Sequence, residues 1–378
     1  VAVIVETSVV YGRQIHRGIA RYVRSHRPWS MFLDQRELGA SPPIWLRQRR
    51  WDGVISRPTN RRLAAMFREM GVPVVDLNDQ HDDLALPRIH SDDAAIGRLA
   101  AQHLLERGFQ NFAFCGFKGE RWSADRRDGC LAALTAAGYP CEVYESHWRG
   151  ARAPEWHREQ GQIARWIARR PRPLGVVACN DLRGQQVLDA CARAGLAVPE
   201  EVAVIGVDDE ELLCTMCDPP LSSVVPGAQR IGYEAAALLD RLMAGERVEA
   251  AEQRIEPVGV VTRQSTDVLA IADVDVAAAV RYIREYACEG ASVADVLRHV
   301  PLSRSLLERR FRKYLGRSPQ AEIRAVQIKR VKQLLVETEL PLKAIAELAG
   351  FEHVEYLSVV FKRLTGASPG RYRQTNRQ

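Results

Sequence analysis

Residues 345–366 read IAELAGFEHVEYLSVVFKRLTG. Apolar residues keep helical spacing on both sides of a Gly-Phe interruption, with Ile345, Leu348 and Ala349 before it and Leu357, Val360, Phe361 and Leu364 after it. This spacing predicts two short helices set at an angle by Gly350. The pattern recurs 50 residues upstream, in VADVLRHVPLSRSLLERRFRKYLGRSP at 293–319. The shift superposes Leu307 on Leu357, Phe311 on Phe361, Gly316 on Gly366, Ser318 on Ser368 and Pro319 on Pro369, and the basic pairs Arg312-Lys313 and Lys362-Arg363 coincide. Identities of types that set packing and a helix stop mark an internal repeat. The chain is therefore expected to end in two helix-turn-helix units, at about 291–316 and 341–366, joined by a helix over Gln320 to Val336.

Charge singles out the same region. The segment 281–378 holds 19 Lys and Arg against 10 Asp and Glu, a formal +9 in a chain whose total is +6, which leaves −3 for residues 1–280. A basic module on a near-neutral body points to a polyanion such as DNA; a solvated basic face without a partner is the plainer alternative. At 378 residues the chain is long enough for two or three domains. No apolar run is long enough to span a membrane. The opening VAVIV lacks a basic flank, so it reads as a first strand rather than a signal peptide, and the missing initiator Met implies a few residues ahead of it. Eight cysteines show no disulfide framework; Cys214 and Cys217 form a lone CxxC without a second pair or a nearby His, so neither metal nor cofactor is expected. A reducing cytoplasm is the expected compartment.

From Val1 to about Asp267, short apolar runs alternate with helical patterns. VAVIV precedes a helix from about Arg13 to Ser25, DGVIS precedes Arg61 to Met70, and VPVVD precedes a helix from near Asp93. NFAFCG precedes Ser123 to Ala137, LGVVAC precedes Asp181 to Ala194, and VAVIGV closes the series. Such alternation builds parallel sheets, whose ligands bind beyond the carboxyl ends of the strands. The residues expected there are Glu6 to Tyr11, Ser56-Arg57, Asp76, Gly116 to Arg126, Cys179-Asn180-Asp181 and Asp208 to Glu211. Carboxylates, an amide, arginines and a tryptophan suit a neutral polyhydroxylated molecule, because acid and guanidinium bracket vicinal hydroxyls while an aromatic face covers C–H bonds. Asn180-Asp181 could equally cap the next helix. Trp122, read as exposed, could line the sugar site or a lobe interface.

These residues carry a resemblance. GVPVVDLN, SDDAAIGRLAAQHLLERGFQNFAFCG, RRDGCLAALTAAGY, ACND, GLAVPEEVAVIGVDD, PPLSSV and VTRQST resemble, in order, the periplasmic-binding-type sensor of LacI-type regulators. The resemblance implies two Rossmann-like lobes closing on a small effector, usually a sugar, with Arg126 of RRDG, Asn180 and Asp181 of ACND and Asp208 of GVDD in contact with it. Tyr11 and Trp122 join them as candidate ligand residues. The repeat, with LxxxFxxxxGxSP twice, Gly350-Phe351 and PGRYR at 369–373, resembles the double helix-turn-helix of AraC-type activators. A sensor carrying that module at its C-terminus is the arrangement of the xylose-operon family of regulators, which ERWSADRR, PLSSVVPGAQRIGYEAAALLDRL and RYIREYACEGASVADVL also resemble. One departure stands out: the loop after DGVI reads Ser-Arg-Pro-Thr-Asn, where that family is expected to be acidic.

The expected architecture is an α/β two-lobe sensor over 1–267, a linker at 268–273 and an all-α DNA-binding domain over 274–378. The resemblance implies a regulator, an activator of pentose catabolic genes, with double-stranded operator DNA, D-xylose or a related pentose, RNA polymerase and a second copy of the chain as partners, and no membrane. Another sugar, or an enzyme built on the lobes, remains the alternative, although neither GxGxxG after VAVIV nor GxxxxGK[ST] occurs. In a helix-turn-helix the second helix faces base edges. Arg304, Ser305, Glu308, Arg309 and Arg312 are its expected outward set in the first unit, where Arg can fork onto guanine and Glu can accept from cytosine. In the second unit, Val354, Glu355 and Lys362 offer apolar and backbone contacts, with Val359 where the family has a polar reader.

Overall fold

The computed structural model describes residues 1–376 except 27, 34–36, 38–43, 79, 82, 149–154, 247–251, 268–270, 272 and 339. The chain divides into two compact units, Val1–Val268 and Leu269–Gln378.

In the first unit the strands are β1 (Ala2–Ile4), β2 (Phe32–Leu33), β3 (Val54–Ser56), β4 (Val74–Asp76), β5 (Arg88–Ser91), β6 (Asn111–Lys118), β7 (Cys141–His147), β8 (Leu174–Ala178), β9 (Val202–Val207), β10 (Ser222–Val225), β11 (Glu252–Ile255) and β12 (Gly259–Val261). They form two six-stranded sheets, β11-β5-β4-β3-β1-β2 and β12-β10-β9-β8-β6-β7, all parallel except for β12 against β10. The helices are α1 (Val10–Ser25), α2 (Arg61–Met70), α3 (Asp93–Leu105), α4 (Arg121–Ala136), α5 (Trp156–Ala168), α6 (Asp181–Arg193), α7 (Glu211–Met216) and α8 (Ala228–Met243).

Two helix starts differ from the sequence reading, Val10 in place of Arg13 and Arg121 in place of Ser123, because apolar periodicity marks the buried face and not the first turn. VAVIGV does not close the series; β10, α8, β11 and β12 follow it. Strand β5 was missed because RIHS is polar and only four residues long. It matters because the chain crosses between lobes directly after it. Three crossovers join the lobes: after β5, after β10 and after β11. They are tied to each other, with Asp92 N–H donating to Ile255 O at 2.9 Å and Val258 N–H to Val225 O at 2.9 Å.

Each lobe packs one helix pair at unusually close range. A Cβ on Gly97 of α3 would stand 1.8 Å from Arg126 O of α4, and one on Gly129 of α4 would stand 2.0 Å from Ala94 O. In the other lobe Gly18 of α1 and Gly232 of α8 meet Gln229 O and Ile15 O in the same way.

The second unit contains α9 (Val274–Tyr286), α10 (Val293–His299), α11 (Arg304–Leu315), α12 (Pro319–Glu337), α13 (Leu342–Leu348), α14 (Val354–Thr365) and α15 (Pro369–Asn376). Helix α12 serves two cores: Ile323 packs with Leu307 and Phe311, whereas Ile328, Val331, Leu334 and Leu335 pack with Ile345, Leu357, Val360 and Phe361. Of the apolar residues that set the opening pattern, Leu348 and Leu364 are about half exposed, so the buried stripe is narrower than the spacing implied.

The repeat holds at its ends and diverges at its turns. Gly316 and Gly366 both stop their helices at positive φ, 68° and 78°. Only the second unit turns on a left-handed glycine, Gly350 at φ 71°, where a Cβ would stand 2.6 Å from Ala287 O; the first unit has Val300 there in extended backbone. Ser292 and Ser303 cap α10 and α11, and neither Pro341 nor His353 caps its helix with a side chain. The linker read at 268–273 lies partly outside the described residues. Its described part belongs to the module: Ile271 is buried with Leu307 and Phe311, and Asp273 caps α9.

Gly97→Ala is expected to lower the stability of the first unit by about 1 to 3 kcal/mol, because a helix carbonyl cannot retreat as a flexible side chain can. Gly161→Ala, in α5 with nothing within 4 Å of the added methyl, is expected to be neutral or stabilising by up to about 1 kcal/mol. Calorimetric melts of both variants would show shifts in Tm of opposite sign or unequal size; equal losses would contradict the close-packing account.

Candidate functional site

Between the lobes of the first unit lies a cleft of about 830 Å³, within the range of small-molecule sites. All six sequence-predicted ligand residues line it: Tyr11, Trp122, Arg126, Asn180, Asp181 and Asp208. Parallel topology is the reason, since each follows a strand end that points into the gap.

Arg126 is the centre of the far wall. Its side chain is about 5% exposed, and Nε donates to Asp93 Oδ1 at 2.8 Å while Nη1 donates to Cys179 O at 2.7 Å. Nη2 lies 3.6 Å from Asp208 Oδ1, and the guanidinium covers the Trp122 ring at 4.9 Å. Burial works against its charge, but Asp93 and Asp208 outweigh that and hold its pKa above the usual arginine value. Asp93 was missed from sequence because β5 was missed, so its position at a strand end was not legible.

Asp208 and Asp209 both have positive φ, 109° and 49°, a strained turn that throws successive carboxylates in different directions. Asp208 faces the cleft with Arg126. Asp209 pairs instead with Arg263 at 2.8 Å. Burial raises the Asp208 pKa and Arg126 opposes the rise.

Asn180 and Asp181 both cap and face the cleft, so the two readings of that pair hold together. Asn180 Oδ1 accepts from Arg183 N–H at 2.9 Å, and among the described residues its amide nitrogen has no partner. Asp181 is 2% exposed; it accepts from Ser223 Oγ at 2.5 Å and from Glu210 N–H at 2.8 Å. Burial, then the neighbouring Asp208, pushes its pKa up to about 8.

Two expectations change. Trp122 is 9% exposed, not an exposed indole: it packs edge-on against Phe117 and Trp148, with Nε1 donating to Glu120 at 3.3 Å. The Tyr11 hydroxyl is engaged by Ser91 Oγ at 2.8 Å, and its ring lies under Arg57 at 4.7 Å. Arg57, the basic residue in the loop expected to be acidic, pairs with buried Glu6. Trp148 and Glu6 also line the cleft. Arg13 of α1 reaches across the lobes to Glu210 at 2.5 Å. Sequence spacing carries no signal for a pair so far apart.

In the second unit, Arg304, Ser305, Arg309 and Arg312 are exposed on α11. Glu308 is half-buried, and Arg304 lies 3.5 Å from it. On α14, Glu355 and Lys362 are exposed, and Val359 is 65% exposed. Val354 is corrected: it is partly buried against the second core, because it opens the helix directly after the buried Phe351. Exposed Tyr356 on the same helix was missed; Arg324 stacks over its ring at 5.0 Å.

Comparison with known proteins agrees with both halves. A periplasmic binding protein-like domain family matches residues 101–266, and a helix-turn-helix domain family matches 296–375. The xylose operon regulatory protein of Haemophilus influenzae is 32% identical, covering 99% of this chain and 97% of that protein. Its Escherichia coli K12 counterpart is 33% identical, covering 97% and 94%. The solved structure of a xylose-binding transcription activator, 30% identical, superposes with a TM-score of 0.82 over 100% of this chain and 98% of that one. The chain belongs to the xylose operon regulatory protein family. It is a sugar-responsive, DNA-binding transcriptional regulator, and the relatives matched at full length are transcription regulators. Among the described residues, no helix is long and apolar enough to cross a membrane, and no cluster of three metal-ligating side chains occurs. Cys214 and Cys217 are free thiols, with burial raising the pKa of both.

The raised pKa of Asp181 gives a signed pH dependence. Unfolded, it releases its proton near pH 4; folded, it holds it to about pH 8. The folded state thus binds the extra proton, and this contribution to stability falls as pH rises between those values. In Asp181→Asn the fall is expected to flatten relative to wild type, read as the difference in Tm slope from pH 5 to pH 8. Identical slopes would place a charged carboxylate there throughout.

Proposed function

We propose that this chain is a cytoplasmic activator that binds D-xylose or a closely related pentose in the cleft, works as a homodimer, and recruits RNA polymerase at an operator read by both helix-turn-helix units. The observation that carries the effector class is charge balance at the cleft wall. Arg126 is matched by Asp93 and Asp208, and Arg57 by Glu6, so no uncompensated guanidinium awaits a phosphate or a sugar acid. Neutral hydroxyls can accept from Arg126 or Asn180 and donate to Asp208 without stranding any charge. The names of the full-length relatives support a pentose; the acidic loop replaced by Ser56-Arg57-Pro58-Thr59-Asn60 leaves a related sugar as the second reading. Compartment, dimer and polymerase contact rest on the family resemblance.

Asp208→Ala is expected to weaken D-xylose binding by about 1 to 3 kcal/mol in calorimetry, since it removes an acceptor and leaves Arg126 under-paired. Arg126→Ala should do the same and also lower Tm, because buried Asp93 loses its ion pair with Arg126. Undiminished affinity in both variants would move the sugar elsewhere.

The recognition helices should occupy successive major grooves on one face, about 34 Å apart. Arg309→Ala is expected to relax base preference in one contact block, by about 1 to 3 kcal/mol. Lys362→Ala should weaken binding to all sequences and reduce the salt slope by about one. A footprint leaving the second block accessible at saturating protein would take α14 off the DNA.

A further inference from the structure

Arg324 of α12 holds two parts of the second helix-turn-helix unit at once. Its Nη1 donates to Gln327 Oε1 at 2.6 Å, one turn along the helix, and Gln327 Nε2 in turn donates to Gly350 O at 2.9 Å. The same guanidinium lies 5.4 Å from the ring centre of Phe351 and 5.0 Å from that of Tyr356. Phe351 is buried, and its ring centre is 6.3 Å from that of Tyr356. The turn and the first residues of α14 therefore rest on one half-buried arginine. No side chain caps α14 at His353, whereas Ser303 caps α11, so this stack stands where the first unit has a cap. The repeat gives Tyr356 no aromatic counterpart, since fifty residues upstream it aligns on Leu306.

Tyr356 is 48% exposed although a ring and a guanidinium already cover part of it. Among the described residues its hydroxyl has no hydrogen-bond partner. It stands in the first turn of α14, and the N-terminal residues of a recognition helix are those that meet DNA. Tyrosine hydroxyls serve there as donors to phosphate, contacts that set register and carry no base preference. Exposed Glu352 and Glu355 would repel a phosphate at this point, and the Arg324 cation against the ring offsets them. Exposed Val359, about one turn further on, has no polar side-chain atom to take that role.

We propose that Tyr356 donates its hydroxyl to a phosphate of the operator backbone, and that Arg324 is the positioning residue that holds its ring for that contact. A ring already held by its face has little rotamer freedom to lose on binding, so the hydroxyl is presented in place. The proposal rests on the reading in which both helix-turn-helix units engage the operator.

The test uses the full chain and an operator duplex, with hydroxyl-radical footprints to follow the two contact blocks. Duplexes carrying a neutral methylphosphonate at one backbone position at a time locate the contact. Tyr356→Phe removes only the hydroxyl, keeps the stack and is expected to leave Tm unchanged. It should weaken operator binding by about fivefold to tenfold, and by the same factor when bases in the second block are altered. Wild type should be sensitive to methylphosphonate at a position of the second block where Tyr356→Phe is not. Arg324→Ala should lose the same sensitivity, and combining it with Tyr356→Phe should weaken binding by less than the product of the two single effects. Arg324→Lys, which keeps the charge without the planar fork, should recover part of the loss. If Tyr356→Phe binds as wild type and shares its methylphosphonate profile while the second block is protected, the hydroxyl contact is overturned. If Arg324→Ala weakens binding by the same factor with Tyr356 or Phe present, its positioning role is overturned. A second block left open by wild type at saturating protein overturns the underlying reading, and the contact with it.

Discussion

The closeness of α3 to α4 is the constraint from which the arrangement of the cleft wall follows. With hydrogen alone at Gly97 and Gly129, the two backbones meet carbonyl to glycine, and Arg126 stands where its Nε reaches Asp93 at the start of α3. A wider spacing would leave a buried carboxylate and a buried guanidinium without each other, at a cost of several kcal/mol. The same device recurs between α1 and α8. Helices α3 and α8 both begin just after a crossover between lobes, so close helix contacts flank two of the three connections. The residues that would hold the sugar are thereby fixed relative to one another within each lobe.

The cleft concentrates charge without exposing a net cation. Each arginine at its wall is answered by a carboxylate, and the Asp208-Asp209 turn accepts backbone strain to place one acid against Arg126 and the other against Arg263. A polyol entering such a site replaces water around charges that are already paired, so it gains directed hydrogen bonds without breaking an ion pair. The Arg13–Glu210 pair joins α1 to the turn after β9, and Glu210 N–H is itself bound to Asp181. Contact across the lobes is therefore linked to a residue lining the cleft.

Much of this was legible in the chain, for reasons that also explain what was not. Strands buried on both faces, such as VAVIGV, announce themselves as apolar runs, and the residues just after them fall into the cleft by topology; hence Arg126, Asn180 and Asp208 were found. Short, polar strands such as RIHS and the edge strand EQRI carry no such signal, and Asp93 was lost with β5. Trp122 looked exposed because its shielding comes from Phe117, Trp148 and Arg126, three contacts that depend on tertiary packing. The repeat was plain from identities that stop helices, yet the same alignment hid the difference in its turns. Val300 and Gly350 occupy equivalent positions in different backbone conformations.

That difference bears on how the DNA module works. Gly350 can approach Ala287 only because it lacks a Cβ, and Gln327 of α12 completes the junction by donating through one amide nitrogen to both Ala287 O and Gly350 O, each at 2.9 Å. Gln327 is 1% exposed, so losing either bond would strand a buried donor or acceptor. It sits where α12 passes from the first core to the second, and it ties the turn of the second unit to the end of α9 in the first. The two helix-turn-helix units are thus halves of one packed body. Within that body the exposed faces differ in kind, with Arg304, Arg309 and Arg312 on α11 and Tyr356 and Val359 on α14, so the two helices present different chemistry from one packed frame.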